Sequence, residues 1–239
     1  VPLSAAAGEF RETDEAFERG AEELAADFQS PVDIGEVVSH DMEEAVANYV
    51  DEQQINLVIS AWHRELFFGE VAGYDVDWYM QHVDADFLFV REAGLDSVED
   101  VAVVGERGPF TSLQILVGDA LGHLYGATLH LLTAKNPDAT PDTVSRIDAY
   151  HDEIGSFCTA ACVGRVLTDV EGDRETLEAV DDADLVIAST ASRNPIYDAL
   201  FGSLPDRLAS NLDSTVILVH QNVPRRHTFL RRVLQRFVF

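Results

Sequence analysis

Asp184-Leu-Val-Ile-Ala188 decides the fold, because its core recurs as Asn56-Leu-Val-Ile-Ser60, with Leu57-Val58-Ile59 and Leu185-Val186-Ile187 lying 128 residues apart. Neither run alternates apolar with polar residues. A continuous apolar strand is one buried on both faces, as in a parallel sheet covered by helices. Four further runs share this character: Asp86 to Val90 (DFLFV), Val101 to Val104 (VAVV), Thr128 to Leu132 (TLHLL) and Thr215 to Val219 (TVILV). Amphipathic helical segments separate them, which is the pattern of right-handed βαβ windings. Phe87-Leu88 and Val216-Ile217 also lie 129 residues apart, so the order of elements repeats.

The second copy reads as strand 101–104, helix 111–126, strand 127–133, helix 140–162, strand 164–168, helix 173–181, strand 184–189, helix 196–210 and strand 215–220. The first copy reads as helix 9–28, strand 32–38, helix 41–53, strand 55–60, helix 70–83 and strand 86–91, without the first two strands of its counterpart. The expected domains are therefore residues 1–93, an incomplete unit; 99–222, a complete one; and 223–239, a C-terminal helix. The opening Val1-Pro2 reads like the exit from a strand, which predicts a piece of a longer polypeptide. Gly94 to Glu99 is too short for a flexible linker, so the two units are expected to pack together.

The composition narrows the function classes. The 239 residues carry 43 Asp+Glu against 16 Lys+Arg, a formal charge of −27. Such a charge opposes compaction in ordinary buffer. At about 1 M salt the Debye length shrinks to about 3 Å and the same coat becomes a solubility device. Lys135 is the only lysine, an avoidance that resembles haloarchaeal proteins. Phosphate neutralisation needs a basic surface, so nucleic acid is not an expected partner. No run approaches the ~20 apolar residues of a membrane span, and Val1 to Gly8 does not read as a signal peptide. These features predict a cytoplasmic protein.

The layout resembles the universal stress protein family, with its adenine nucleotide alpha hydrolase-like fold, over nearly the whole chain. The resemblance implies a parallel five-stranded doubly wound sheet with helices on both faces, in two tandem copies of which the first is incomplete. It also implies a nucleotide held by a loop of the form Gly-x2-Gly-x9-Gly-Ser/Thr after the fourth strand and by an aspartate ending the first. Glycines there let backbone N–H groups approach phosphates, and the next helix N-terminus adds its positive end. In the second copy that loop becomes Ala188-x2-Ala191-x10-Gly202-Ser203; in the first it becomes Ser60-x2-His63-x9-Gly73-Tyr74. Gly105 falls where the aspartate is expected. These departures leave Gly105, Gly108, Ala188, Ala191, Gly202 and Ser203 as a degenerate nucleotide site, and they count against ATP or AMP as a cofactor.

Gly108-Pro109-Phe110-Thr111-Ser112-Leu113 follows in part the loop of the family variant attached to the cytoplasmic end of amino-acid permeases. That likeness implies a regulatory or ligand-sensing module on the cytosolic face of a membrane. In the family's strand order the two missing strands of the first copy lie mid-sheet. Upstream residues, the second copy or another chain must then fill their place, and a homo-oligomer is expected, since unpaired backbone in a core is costly.

Other constellations weigh less. Cys158 and Cys162, four apart on the expected helix 140–162, read as buried small residues, because a closed zinc site needs four ligands. The pairs His40-Asp41 and His151-Asp152 lack nameable further ligands, and Asp75-x-Asp77 and Asp84-x-Asp86 fall short of a calcium shell. No nucleophile elbow, phosphate-binding lysine loop or Cys-x-x-Cys pair occurs, so neither a catalytic set nor a metal site is expected. Trp62, Phe67, Phe68, Tyr74, Trp78 and Tyr79 form the densest aromatic cluster, fitting either core packing or an interface. Arg225, Arg226, Arg231, Arg232 and Arg236 give the C-terminal segment +5 against −32 for the rest. With Phe229, Leu230, Val233, Leu234, Phe237 and Val238 they make a basic amphipathic helix. It is suited to a membrane surface, to the transmembrane part of a transporter, or to the acidic body of its own or a second chain. At high salt, screening favours docking on protein.

Overall fold

The run Val101 to Val104 is wholly buried and alternates its side chains between two cores, which fixes it at the centre of a sheet with helices on both faces. The computed structural model describes residues 19, 20, 22, 26, 39, 41–61, 76–95, 97–105, 109–135, 139–167, 174–189 and 214–222. In chain order the elements are α1 (Met42–Gln53), β1 (Leu57–Ala61), α2 (Val76–His82), β2 (Asp86–Arg91), β3 (Asp100–Gly105) and α3 (Ser112–Tyr125). There follow β4 (Thr128–Ala134), α4 (Pro141–Phe157), β5 (Cys162–Leu167), α5 (Arg174–Asp181), β6 (Leu185–Ser189) and β7 (Thr215–His220). Strand 32–38, helix 196–210, the tail 223–239 and most of helix 9–28 lie outside the described residues.

The chain divides into two compact units, Val1–Ala45 and Val46–Phe239. In the first, Asp41 caps α1: its Oδ1 accepts the Glu44 N–H at 3.0 Å, and its own N–H donates to Ser39 Oγ. An N-terminal aspartate satisfies one of the orphan donors of the first turn. The second unit holds the sheet, in the order β1-β2-β7-β6-β3-β4-β5. Five of these strands, β5-β4-β3-β6-β7, form the doubly wound parallel set expected of the second copy.

The expected α/β class with a largely parallel sheet is present, but the described strands of the sheet number seven where five were expected. β2 pairs β7 antiparallel, so one sheet runs through both halves. β1 is the outermost described strand, and residues 32–38, expected as a strand of the same half, lie outside the described residues. The sequence repeat reappears in the register: Leu57 faces Asp86 as Leu185 faces Thr215. Phe89 and Leu218 form the middle pair of the antiparallel seam, so the two halves meet about a local twofold through that pair.

One core, built on Phe87, Phe89, Ala102, Val104, Val186, Ala188, Val216 and Leu218, also takes Val50 of α1, Tyr79 of α2 and Val180 of α5. The other face, with Val101, Val103, Leu185, Ile187 and Val219, is covered by α3 and α4 through Leu113, Tyr150 and Ile154. α3 starts with a capping box between Thr111 and Gln114 and stops at Gly126, whose φ of 68° is left-handed. These are standard start and stop devices. Gly118 lets α3 settle on the sheet, since a Cβ there would come within 2.8 Å of Val103 Cγ2.

A second correction concerns α4. It ends at Phe157, with Cys158 as its C-cap, and Cys162 opens β5, so the cysteines do not share a helix. The turn is set from outside: Asp119 Oδ1 on α3 accepts the N–H groups of Thr159 and Ala160 at 2.7 and 2.8 Å.

Candidate functional site

β3 leads through α3 to β4 on one side, while β6, its neighbour, is followed by β7 on the other. In an open α/β sheet the crevice beyond the carboxyl ends of two such strands is where ligands bind. Gly105 and Ser189 end the two strands there. Beyond Gly105 the chain returns at Phe110, whose ring covers the glycine: a Cβ at residue 105 would lie 2.7 Å from Phe110 Cε1. That separation is below any ordinary contact, so residue 105 carries no side chain because Phe110 fills its place. An aspartate there would displace the ring.

The ring is held on several sides. It stacks on Tyr150 with centroids 6.1 Å apart and planes at 14°, and the Phe110 N–H donates to Tyr150 Oη at 3.1 Å. His151 lies against the same ring at 5.9 Å. Below, Gln114 is buried and ties the loop to the strand: its Nε2 donates to the Val104 carbonyl at 3.0 Å, and its Oε1 accepts the Thr111 N–H at 2.9 Å. The floor of the crevice is thus a rigid aromatic plug built from β3, α3 and α4.

His151 is nearly inaccessible. Its Nε2 is 2.8 Å from Thr133 Oγ1 on β4, and its Nδ1 has no hydrogen-bond partner among the described residues. The imidazole fits over Gly164 of β5, where a Cβ would come within 2.5 Å of Nδ1. Burial pushes its pKa down, while Asp148 and Asp152 pull weakly the other way. A hydroxyl beside an imidazole suggests a nucleophile and its base. Both groups are sealed, with Thr133 1% and His151 3% exposed, so no substrate reaches them. The bond secures α4 to the sheet.

Of the residues singled out from the sequence, Gly105 stands at the crevice. Ala188 is wholly buried in the core between β3 and β7 and points to no ligand. Gly108, Ala191, Gly202, Ser203, Trp62, Tyr74, Arg225, Arg226, Arg231, Arg232 and Arg236 lie outside the described residues. Trp78 stacks on His82 at 4.5 Å and meets the edge of Tyr79, which is buried in the core against Phe87.

The carboxylates have structural duties. Asp184 Oδ2 accepts the Glu99 and Asp100 N–H groups at 2.8 and 3.0 Å. Asp86 Oδ1 accepts the Asn222 N–H at 2.7 Å, and Asp84 takes the Asn222 side-chain amide, fastening the exit from β7. His151 turns inward, so it does not combine with exposed Asp152 as a ligand pair. Burial pushes the Cys162 thiol up to about 12, with Cys158 and Asp119 adding to the effect, and Cys158 is raised too; both are free thiols. Among the described residues no group of three or more His, Cys, Asp or Glu is placed to hold a metal, and no helix is long and apolar enough to cross a membrane.

Sheet order and crevice define a doubly wound α/β protein. Its fold is that of the universal stress proteins. A universal stress protein from Archaeoglobus fulgidus superposes with a TM-score of 0.53 at 10% identity, covering 91% of this chain and 80% of that one. A protein assigned to the same group from Pseudomonas aeruginosa UCBPP-PA14 gives 0.52 at 16% identity, covering 92% and 82%. A functionally unknown protein from Pseudomonas aeruginosa PAO1 gives 0.52 at 16%, covering 94% and 81%. No protein-family model and no curated protein matches the chain.

Proposed function

We propose that the chain is a non-catalytic regulatory module that senses a ligand or mediates assembly, and that it serves as the cytoplasmic domain of an amino-acid transporter. The observation that carries the first part is the Phe110 ring over Gly105. A crevice of the ligand-binding type remains at the switch point, but the chain's own side chain occupies its floor. A nucleotide that needs an acid at residue 105 is disfavoured, whereas a shallower ligand or a protein surface is not. The sealed Thr133–His151 pair speaks against turnover. The transporter assignment draws on the Gly108-Pro109 loop and on the basic amphipathic segment from Arg225 to Phe239.

Calorimetric titration with ATP, AMP and cyclic nucleotides in molar KCl tests the site. No saturable heat in the micromolar range is expected; micromolar binding would favour a free-standing nucleotide-binding protein instead. The transporter role is tested by reading the coding sequence on either side of this stretch. Multiple hydrophobic spans in the same reading frame are expected, and their absence would sink that assignment.

A further inference from the structure

Cys158 and Cys162 flank the turn that joins α4 to β5, at the end of the sheet opposite the Phe110 plug: Cys162 pairs with Leu129, and Leu129 with Val101, at the amino ends of β5, β4 and β3. The fold brings the two sulfurs together. Cys158 is the C-cap of α4, and its N–H donates to the Ile154 carbonyl at 3.2 Å. The Cys162 side chain lies back over the last turn of that helix, since a Cβ at Gly155 would come within 3.5 Å of Cys162 Cβ and 3.8 Å of its Sγ. There the two thiols hydrogen-bond to each other. The residues between them are fixed from outside. Asp119 Oδ1 accepts the Thr159 and Ala160 N–H groups, and the Ala161 carbonyl accepts the Leu129 N–H at 2.7 Å. Both cysteines are half-buried, and their neighbours Phe157, Thr159, Ala161 and Val163 are exposed, so a small reagent reaches the turn.

We propose that Cys158 and Cys162 are a redox modification site, which closes to an intramolecular disulfide between the end of α4 and the start of β5 when the chain meets a low-molecular-weight disulfide. The Cys158 thiolate attacks one sulfur of the oxidant, forming a mixed disulfide and expelling one thiolate, which takes up a proton. Cys162, its proton lost to solvent, then attacks the Cys158 sulfur and expels the second thiolate. Two protein thiols are oxidised, and one small disulfide is reduced to two thiols. Cys158 attacks first because Cys162 is the thiol pushed up as far as about 12. Burial and the Asp119 carboxylate slow that attack, since the thiolate is the nucleophile. The reduced pair gains nothing in return, because neither sulfur is stabilised as a thiolate, the device that makes a disulfide easy to reduce. α4 also carries Tyr150 and His151, which hold the Phe110 ring, so the bond fastens at its far end the helix that supports the plug.

The test equilibrates the whole chain, in molar KCl, with glutathione buffers of graded oxidised-to-reduced ratio, followed by acid quenching, thiol alkylation and mass measurement. Both thiols are expected to disappear together in a monomer lighter by two hydrogens. The native chain should reach half oxidation at a ratio about tenfold or more below that needed by the chain unfolded in urea, because a fold that holds two sulfurs together favours their bond. Cys162→Ser should stop at the glutathione adduct of Cys158. Asp119→Asn keeps the acceptor for the two N–H groups but removes the charge, and should react about twofold faster or more, through a larger thiolate fraction partly offset by lower nucleophilicity. Thiols that stay free, a stable glutathione adduct or covalent dimer of the unsubstituted chain, or a native pair no easier to oxidise than the unfolded one overturns the proposal, as does a rate indifferent to Asp119→Asn.

Discussion

At residue 105 the sequence shows a glycine where the family resemblance expects an acid, and the structure supplies the cause in the Phe110 ring. The contact lies five residues away across a loop, so no local pattern could reveal it. Introducing Gly105→Ala should cost about 1–3 kcal/mol, the usual penalty of overpacking. In a Phe110→Ala background it should cost much less, with a coupling of about 0.5–3 kcal/mol in urea unfolding; additive effects would show that the ring does not fill the site. His151 offers a second reading. Its folded pKa lies below 6.5, so the unfolded chain binds more protons as pH falls through that value. Its contribution is complete above about 6.5 and is lost as pH falls through the depressed folded pKa. His220, also lowered by burial, acts with the same sign. Urea midpoints in molar KCl should drop over this range, and His151→Gln should flatten the drop.

At the scale of elements, the described strands were legible because each is a short apolar run between turn-forming stretches, and the described helices fall between them as expected. The end of α4 was not. Residues 158–162 contain no glycine or proline, and what stops the helix is Asp119 on another element accepting two N–H groups. The start of α3 was placed at 111 from the sequence, and the structure shows the device that fixes it, a capping box between Thr111 and Gln114. Thr111→Ala should cost about 0.5–2 kcal/mol, typically about 1. Thermal melts measure it; no change would mean that Gln114 alone secures the first turn. Much of the candidate site escaped the sequence reading because Tyr150 and Thr133 approach Phe110 and His151 from separate elements, each of which by itself looks like ordinary helix or strand.

Over the whole molecule, the parallel five-strand order of the second half follows from alternating strands and helices, but the antiparallel seam does not. An apolar run such as DFLFV states that it is buried, not which way its neighbour points. The charge of −27 was plain in the composition. Lowering the salt from about 1 M to about 0.1 M lengthens the Debye distance from about 3 to about 10 Å. The melting temperature should fall as KCl is lowered over that range, and a constant value would refute a screening role. The seam between β2 and β7 also sets an order of events during synthesis. β2 leaves the ribosome long before β7, which is separated from it by the whole second half. At about 5–20 residues per second the nascent chain carries one side of an apolar strand unpaired for about 6–25 s. For that interval the unpaired edge of Asp86–Arg91 is the part of the nascent chain most open to pairing with the wrong strand, so the seam makes completion of the second half a condition for closing the first.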